Sequence, residues 1–166
     1  MEMRGSRLIG AAPERVWAAL IDPEVLRASI PGCEAMEGDV ERGFEARVHQ
    51  RIGPVGASFD GRVELEDVTP GERYRLVCHG KGANAGRARG GADVTLSATP
   101  EGATLLDYEV TAHVEGRLAH LGARLLDTFA KKMADRFFEN FQRVVEGRPE
   151  PEPRRGWLGR VLGGGG

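Results

Sequence analysis

The chain is 166 residues long, 40% hydrophobic and 29% charged, with a formal net charge of −2. That length supports one domain with a self-sufficient core, and the near-balanced charge excludes a global basic field for nucleic acid. The 24 glycines and the low aromatic content, 6%, favour tight turns and small-residue surfaces over a dense aromatic core.

The opening MEMRGSRLIGAAPERV has no apolar stretch of signal-peptide type. No run approaches the ~20 apolar residues of a membrane-spanning helix. A cytoplasmic body is expected, with any membrane contact peripheral. Cys33 and Cys78 lack a CxxC spacing and read as reduced, buried thiols.

Residues 1–10 predict a strand. APERVWAALID follows as a short helix with Pro13 in its first turn, and Val16, Trp17, Leu20 and Ile21 share one face. Asp22 caps a second short helix, PEVLRASI, with Pro23 at its first position. The turn PGC ends it.

From about Cys33 to Val114 the period becomes two. Phe44, Ala46, Val48, Gln50 and Ile52 face one way, with Glu45, Arg47, His49 and Arg51 opposite. The same inward set continues with Phe59, Gly61, Val63 and Leu65, then Tyr74, Leu76 and Cys78, then Val94 and Leu96, and finally Leu106, Tyr108, Val110 and Val114. One-faced alternation broken by tight turns predicts an antiparallel meander with one wet face.

After Gly116 the period returns to 3.6. Leu118, Leu121, Leu125, Leu126, Phe129, Met133, Phe137 and Phe141 form a stripe on a helix over about 118–146, ended by Gly147 and the prolines beyond. The order is strand, two short helices, six strands and one long helix, an α+β arrangement. A curved sheet with one dry face buries it by wrapping around the long helix, and the space between them tends to remain as a pocket. Residues 1–146 therefore read as one domain and 147–166 as an appended stalk and tail.

The segment APERVWAALIDPEVLRASIPGCE resembles the opening of SRPBCC proteins, the START-like (Bet v 1-like) helix-grip superfamily. Together with IGPVGASFDGRVEL, GKGANAGRARGGADVTL and LGARLLDTFAKKMADRFFENF, it is similar to the carbon monoxide dehydrogenase CoxG family over about residues 1–145. The resemblance implies an accessory role beside a molybdenum hydroxylase of the carbon monoxide dehydrogenase type, not the oxidoreductase chemistry itself. It further implies recruitment of that enzyme to the membrane, and a quinone or isoprenoid lipid bound in the cavity with no other cofactor required.

Small residues occupy inward positions on the predicted sheet: Ala46, Ala57, Gly61, Gly90 and Ala92. Either backbones approach closely there, or a guest fills the gap, because a close-packed interior does not leave such positions empty. The guest reading lines a cavity with Trp17, Leu26 and Ile30 from the short helices and Leu125, Phe129 and Met133 from the long one. The sheet adds Phe44, Val48, Gln50, Phe59, Tyr74, Leu76 and Tyr108. Gln50, Tyr74 and Tyr108 need hydrogen-bond partners if they face inward, which a quinone carbonyl would supply. A hydrophobic mouth is expected at Ile52, Pro54, Val55, Asn84, Ala85, Leu118 and Leu121.

No inward pair of carboxylates, and no acid beside a base, is visible, so no catalytic residue is assigned. No metal site is assigned either, because His49, His79 and His113 fall on the wet face of different strands. GKGANAGRARGG lacks the strand-to-helix context and the Gly-Lys-Ser/Thr ending of a phosphate loop, and Arg87 and Arg89 are expected to face water. Two alternatives stay open: an enzyme of cyclase or hydrolase type, as in other SRPBCC families, and an assembly factor with a collapsed pocket.

The stalk, residues 147–155, spans roughly 25–30 Å if extended. Beyond it, Trp157, Leu158, Val161 and Leu162 share one face if helical, with Arg160 on the far side and Arg154 and Arg155 preceding. The tail carries four arginines against two glutamates, net +2, on a body of net −4. It is too short and too glycine-rich to fold alone in water. A weak, reversible anchor on the inner face of the cell membrane is expected; a solvated tail or a docking peptide for a partner protein are the alternatives.

Overall fold

Prolines and one carboxylate start the two short helices, and strict alternation builds the sheet. The computed structural model describes residues 1–147. Its elements in chain order are β1 (Glu2–Ile9), α1 (Pro13–Leu20), α2 (Pro23–Ser29), β2 (Cys33–Asp39), β3 (Gly43–Ile52), β4 (Val55–Thr69), β5 (Arg73–Gly82), β6 (Gly86–Ala98), β7 (Thr104–Glu115), a 3-10 turn (Gly116–Leu121) and α3 (Ala123–Val145). Pro13 and Pro23 sit in first turns, and Asp22 accepts a hydrogen bond from the Glu24 N–H at 2.9 Å, which satisfies a donor the helix itself leaves open.

The strands form one antiparallel sheet in the order β1-β7-β6-β5-β4-β3-β2. β1 pairs with the last strand, so α1 and α2 carry the chain from one edge of the sheet to the other. Register places Ala46 opposite Gly61, Gly61 opposite Gly80, Gly80 opposite Ala88 and Ala88 opposite Val114. A one-residue slip would turn every inward side chain outward. The sheet wraps α3, and α2 docks on it: Asn140 Nδ2 donates to the Ser29 carbonyl at 3.1 Å.

The long helix starts later than its apolar stripe predicts. Gly122 adopts φ 89°, a left-handed backbone that interrupts the helix. Leu118 and Leu121 therefore belong to the preceding 3-10 turn, which the Leu118 N–H ties to the Ala85 carbonyl at 3.0 Å.

Two buried clusters occupy opposite ends of the grip. At the base, where β5 and β7 begin, Ile9, Val16, Leu20, Tyr74, Leu106, Tyr108, Phe138, Phe141 and Val145 pack together. At the tip, where β3 turns into β4 and β5 into β6, Ile52, Val55, Ala85 and Leu118 form the second. No helix among the described residues is long and apolar enough to cross a membrane. The predicted tail, with Arg154, Arg155, Trp157, Leu158, Arg160, Val161 and Leu162, lies outside the described residues.

Candidate functional site

Between the two clusters the inner face of the sheet changes character. Val48, Val63, Cys78 and Ala92 are only partly buried, and so is Met133 on α3, while partly buried Leu76, Val110 and Phe137 pack against the base cluster and Phe59 and Phe129 against the tip cluster. Val48, Val63, Cys78, Ala92 and Met133 belong to neither cluster. The middle of this face is also made of small residues: Ala46, Gly61, Gly80 and Ala88 form one cross-strand row.

The glycines of this region divide into two kinds. At Gly90 an added Cβ would come within 2.3 Å of the Thr111 carbonyl oxygen, and at Gly82 within 2.5 Å of the Phe59 ring; close approach explains both. At Gly61 and Gly80 the nearest heavy atoms lie 3.6 and 3.9 Å from an added Cβ, and neither glycine has a positive φ. Neither crowding nor backbone conformation requires glycine at these two positions.

Other predicted wall residues are distributed around the grip. Phe44 is buried at the β2–β3 side, 2% exposed. Trp17 meets Tyr74 edge-on at 5.3 Å between ring centroids, while Leu26 in α2 and Ile30 at its end are half-buried. Tyr74 and Tyr108 belong to the base cluster, where Tyr108 stacks on Phe138 at 5.3 Å. Leu125, expected in the wall, instead stands 36% exposed near the tip, and a Cβ at Gly53 would meet its Cδ2 at 2.9 Å. The neighbouring Leu126, not Leu125, packs against the tip cluster.

The predicted mouth residues do come together, but as a seal. Ile52, Val55, Ala85 and Leu118 are each under 10% exposed, with Leu121 packed beside them. Only Pro54 and Asn84 are exposed. The tip is closed, and a guest entering there would have to part this cluster. The reason is local: Asn84 takes φ 59°, which turns the hairpin so that Ala85 points inward under the 3-10 turn.

The polar groups of the inner face have identifiable surroundings. Gln50 Nε2 donates to the Pro31 carbonyl. Burial pushes the Tyr74 hydroxyl well above its ordinary value and the Cys78 thiol up to about 11, because an ionised form would lose its hydration there. On β1, Arg7 also points inward. It pairs with Asp135 of α3 and lies 5.3 Å above the Phe138 ring, and its Nε is buried without a partner among the described residues.

Sequence reasoning passed over Arg7, Phe138, Gly80 and Ala88. Alternation along MEMRGSRLI, with Met3, Gly5, Arg7 and Ile9 on one side, carried the signal for the first. Parity within β5 and β6 carried it for Gly80 and Ala88. Phe138 lies beside the predicted stripe, and the adjacent Phe137 masked it.

A family model for CoxG, described as a carbon monoxide dehydrogenase subunit, matches residues 5–146. No curated protein matches the chain. Among solved structures, a conserved protein from Geobacillus kaustophilus is 28% identical with a TM-score of 0.82, over 89% of this chain and 96% of that one. A START superfamily protein from Mycobacterium smegmatis is 11% identical with a TM-score of 0.65, over 89% and 99%. Ara h 8.0201 is 13% identical with a TM-score of 0.63, over 89% and 98%. The fold is the START-like helix grip, a curved antiparallel sheet closed on a C-terminal helix.

Proposed function

The chain belongs to the carbon monoxide dehydrogenase CoxG family, and from that premise we propose that it is an accessory protein that carries a hydrophobic guest between sheet and α3. The guest is a quinone or a similar isoprenoid lipid. The protein brings it to a molybdenum hydroxylase of the carbon monoxide dehydrogenase type at the inner face of the membrane, with the C-terminal tail as the lipid contact.

The observation that carries the reading is the pair Gly61 and Gly80. They are small where nothing in the fold demands it, and the α3 side chains Phe129 and Met133 are only half-buried. A guest supplies the missing reason, since apolar ligand sites are concave and lined by side chains that stay unpaired until it arrives. The non-catalytic reading draws support from the inner-face polar groups. Cys78 holds its proton at neutral pH, and Gln50 is committed to Pro31.

Native mass spectrometry of the full chain, incubated with an isoprenoid-tailed quinone, tests this. A one-to-one adduct is expected with the parent and is lost in Gly61→Leu/Gly80→Leu, which fills the space. An adduct of equal abundance in both proteins would place the guest elsewhere and end the proposal. For the tail, co-sedimentation with anionic vesicles is expected for the full chain and not for residues 1–146, and to weaken with salt. Equal sedimentation of the two removes the tail from the scheme.

A further inference from the structure

The outer face of the sheet, opposite the guest, carries a groove of about 830 Å³ running across the strands from β2 to β7. Its floor is the backbone of Ala46, Gly61, Gly80 and Ala88. A second depression of about 340 Å³ adjoins it and shares His79, Arg89 and His113.

The two halves of the groove differ in charge. On the β3–β4 side the ions are matched: Arg47 pairs with Asp60 at 3.1 Å and Arg62 with Glu45 at 3.2 Å. On the β5–β7 side they are not. Lys81 lies directly opposite Arg87, His79 opposite Arg89, and Arg89 opposite His113. Lys81, Arg87 and Arg89 enter no salt bridge among the described residues, and all three are exposed. Two carboxylates face this trio from the neighbouring strands, Asp60 across from Lys81 and Glu115 across from Arg87. Asp60 is turned to Arg47, and Glu115 to His113 at 3.6 Å. Lys81 and Arg87, two cations directly across a strand pair, repel and weaken it, so the sheet carries this pair at a cost in stability.

We propose that this groove is a docking surface for an acidic segment of a partner protein, with Lys81, Arg87 and Arg89 supplying the charge. The claim goes beyond the guest-carrier reading and concerns the opposite face of the sheet. Three observations select the occupant. The surface is concave, so a flat bilayer would not reach its floor. Its lining also holds Glu37, Glu45, Asp60 and Glu115, which repel a uniformly charged polyphosphate but tolerate a peptide of mixed composition. The chain's own tail, net +2, is repelled by the cationic wall.

The test uses the full chain and a fluorescein-labelled peptide of alternating glutamate and serine at low salt, followed by fluorescence anisotropy and by amide shifts. Binding is expected to weaken about tenfold in Lys81→Glu/Arg87→Glu/Arg89→Glu. It is expected to change less than about twofold in Arg4→Glu/Arg73→Glu/Arg124→Glu, which alters net charge equally. Shifts should concentrate on outward residues of β5–β7. The neutral variant Lys81→Gln/Arg87→Gln/Arg89→Gln should lose the same binding while melting at or above the parent temperature, because the like-charge Lys81–Arg87 pair is relieved. It keeps the experiment readable if charge reversal unfolds the sheet. Absence of peptide binding, equal losses in the two charge-reversal variants, or shifts on α3 overturn the proposal. So does tighter use of the same residues by a thymidine oligonucleotide or by phosphatidylserine vesicles.

Discussion

The Tyr108 side chain lies over Gly5, its partner across β1 and β7: a Cβ at Gly5 would come within 2.5 Å of Oη and 2.7 Å of Cζ. The ring is held there by stacking on Phe138, so the strand edge and the helix meet through one aromatic side chain. Gly5→Ala is expected to cost about 1–3 kcal/mol through overpacking. In a Tyr108→Ala background most of that cost should vanish, since the two residues act on each other directly. Urea unfolding of the four proteins in the cycle gives the answer; additive effects would mean that the ring does not depend on the glycine.

The glycines of the inner face should respond differently to the same change. Gly61→Ala is expected to be neutral or to stabilise by about 0.4–1 kcal/mol, because it removes unfolded-state freedom without a clash. Gly90→Ala should destabilise by about 1–3 kcal/mol, because its Cβ meets the Thr111 carbonyl. Equal destabilisation at both positions, measured by urea unfolding, would show that the row beneath the groove is crowded, leaving no room for a guest.

Phe141 and Phe129 separate stability from binding. Phe141 is fully buried in the base cluster, and Phe141→Ala should cost about 3–5 kcal/mol. Phe129 is half-buried beside the tip cluster, so Phe129→Ala should cost only about 1–2 kcal/mol yet reduce quinone adduct formation. A Phe129→Ala protein that binds the quinone like the parent would move the guest away from this turn of the helix.

The Cys78 thiol reports on the same space. Its value of about 11 means the reactive thiolate is scarce at neutral pH and grows as pH rises. In a Cys33→Ser background, the rate of modification by a disulfide reagent should climb roughly tenfold per pH unit between about pH 8 and 10. A rate that levels off near an ordinary thiol's value, about pH 9, would indicate a hydrated group. Bound quinone should slow the reaction at every pH.

The Arg7–Asp135 pair closes the gap between β1 and α3, but both partners reach water. Asp135→Asn should therefore cost no more than about 1 kcal/mol, and less in high salt. Arg7→Ala should cost more than Asp135→Asn, because it also removes a stem packed against Phe138. Comparison of the two variants at low and high salt decides it.

Much of the architecture was legible one segment at a time. Pro13, Pro23 and Asp22 mark helix starts because they act on their own backbone neighbours. Alternation from Phe44 to Val114 assigned the faces of the strands because successive side chains point to opposite sides. The start of α3 was misjudged because Leu118 and Leu121 continue the apolar period, while the break lies in the φ of Gly122, which glycine permits but does not announce.

The small inward positions divide along the same line. By its own residues the chain determined seven strands, one gripping helix and the presence of those positions, since helix and strand periods and turn chemistry are local properties. Only the tertiary structure decided that Gly90 is small because Thr111 crowds it, while Gly61 and Gly80 would each accept a Cβ at ordinary contact distance. The same holds for the apolar tip residues, which seal the tip, and for Lys81, Arg87 and Arg89, which share one groove wall. Those outcomes depend on which residues of distant strands lie opposite one another, and register is set by the packing of the whole sheet on α3.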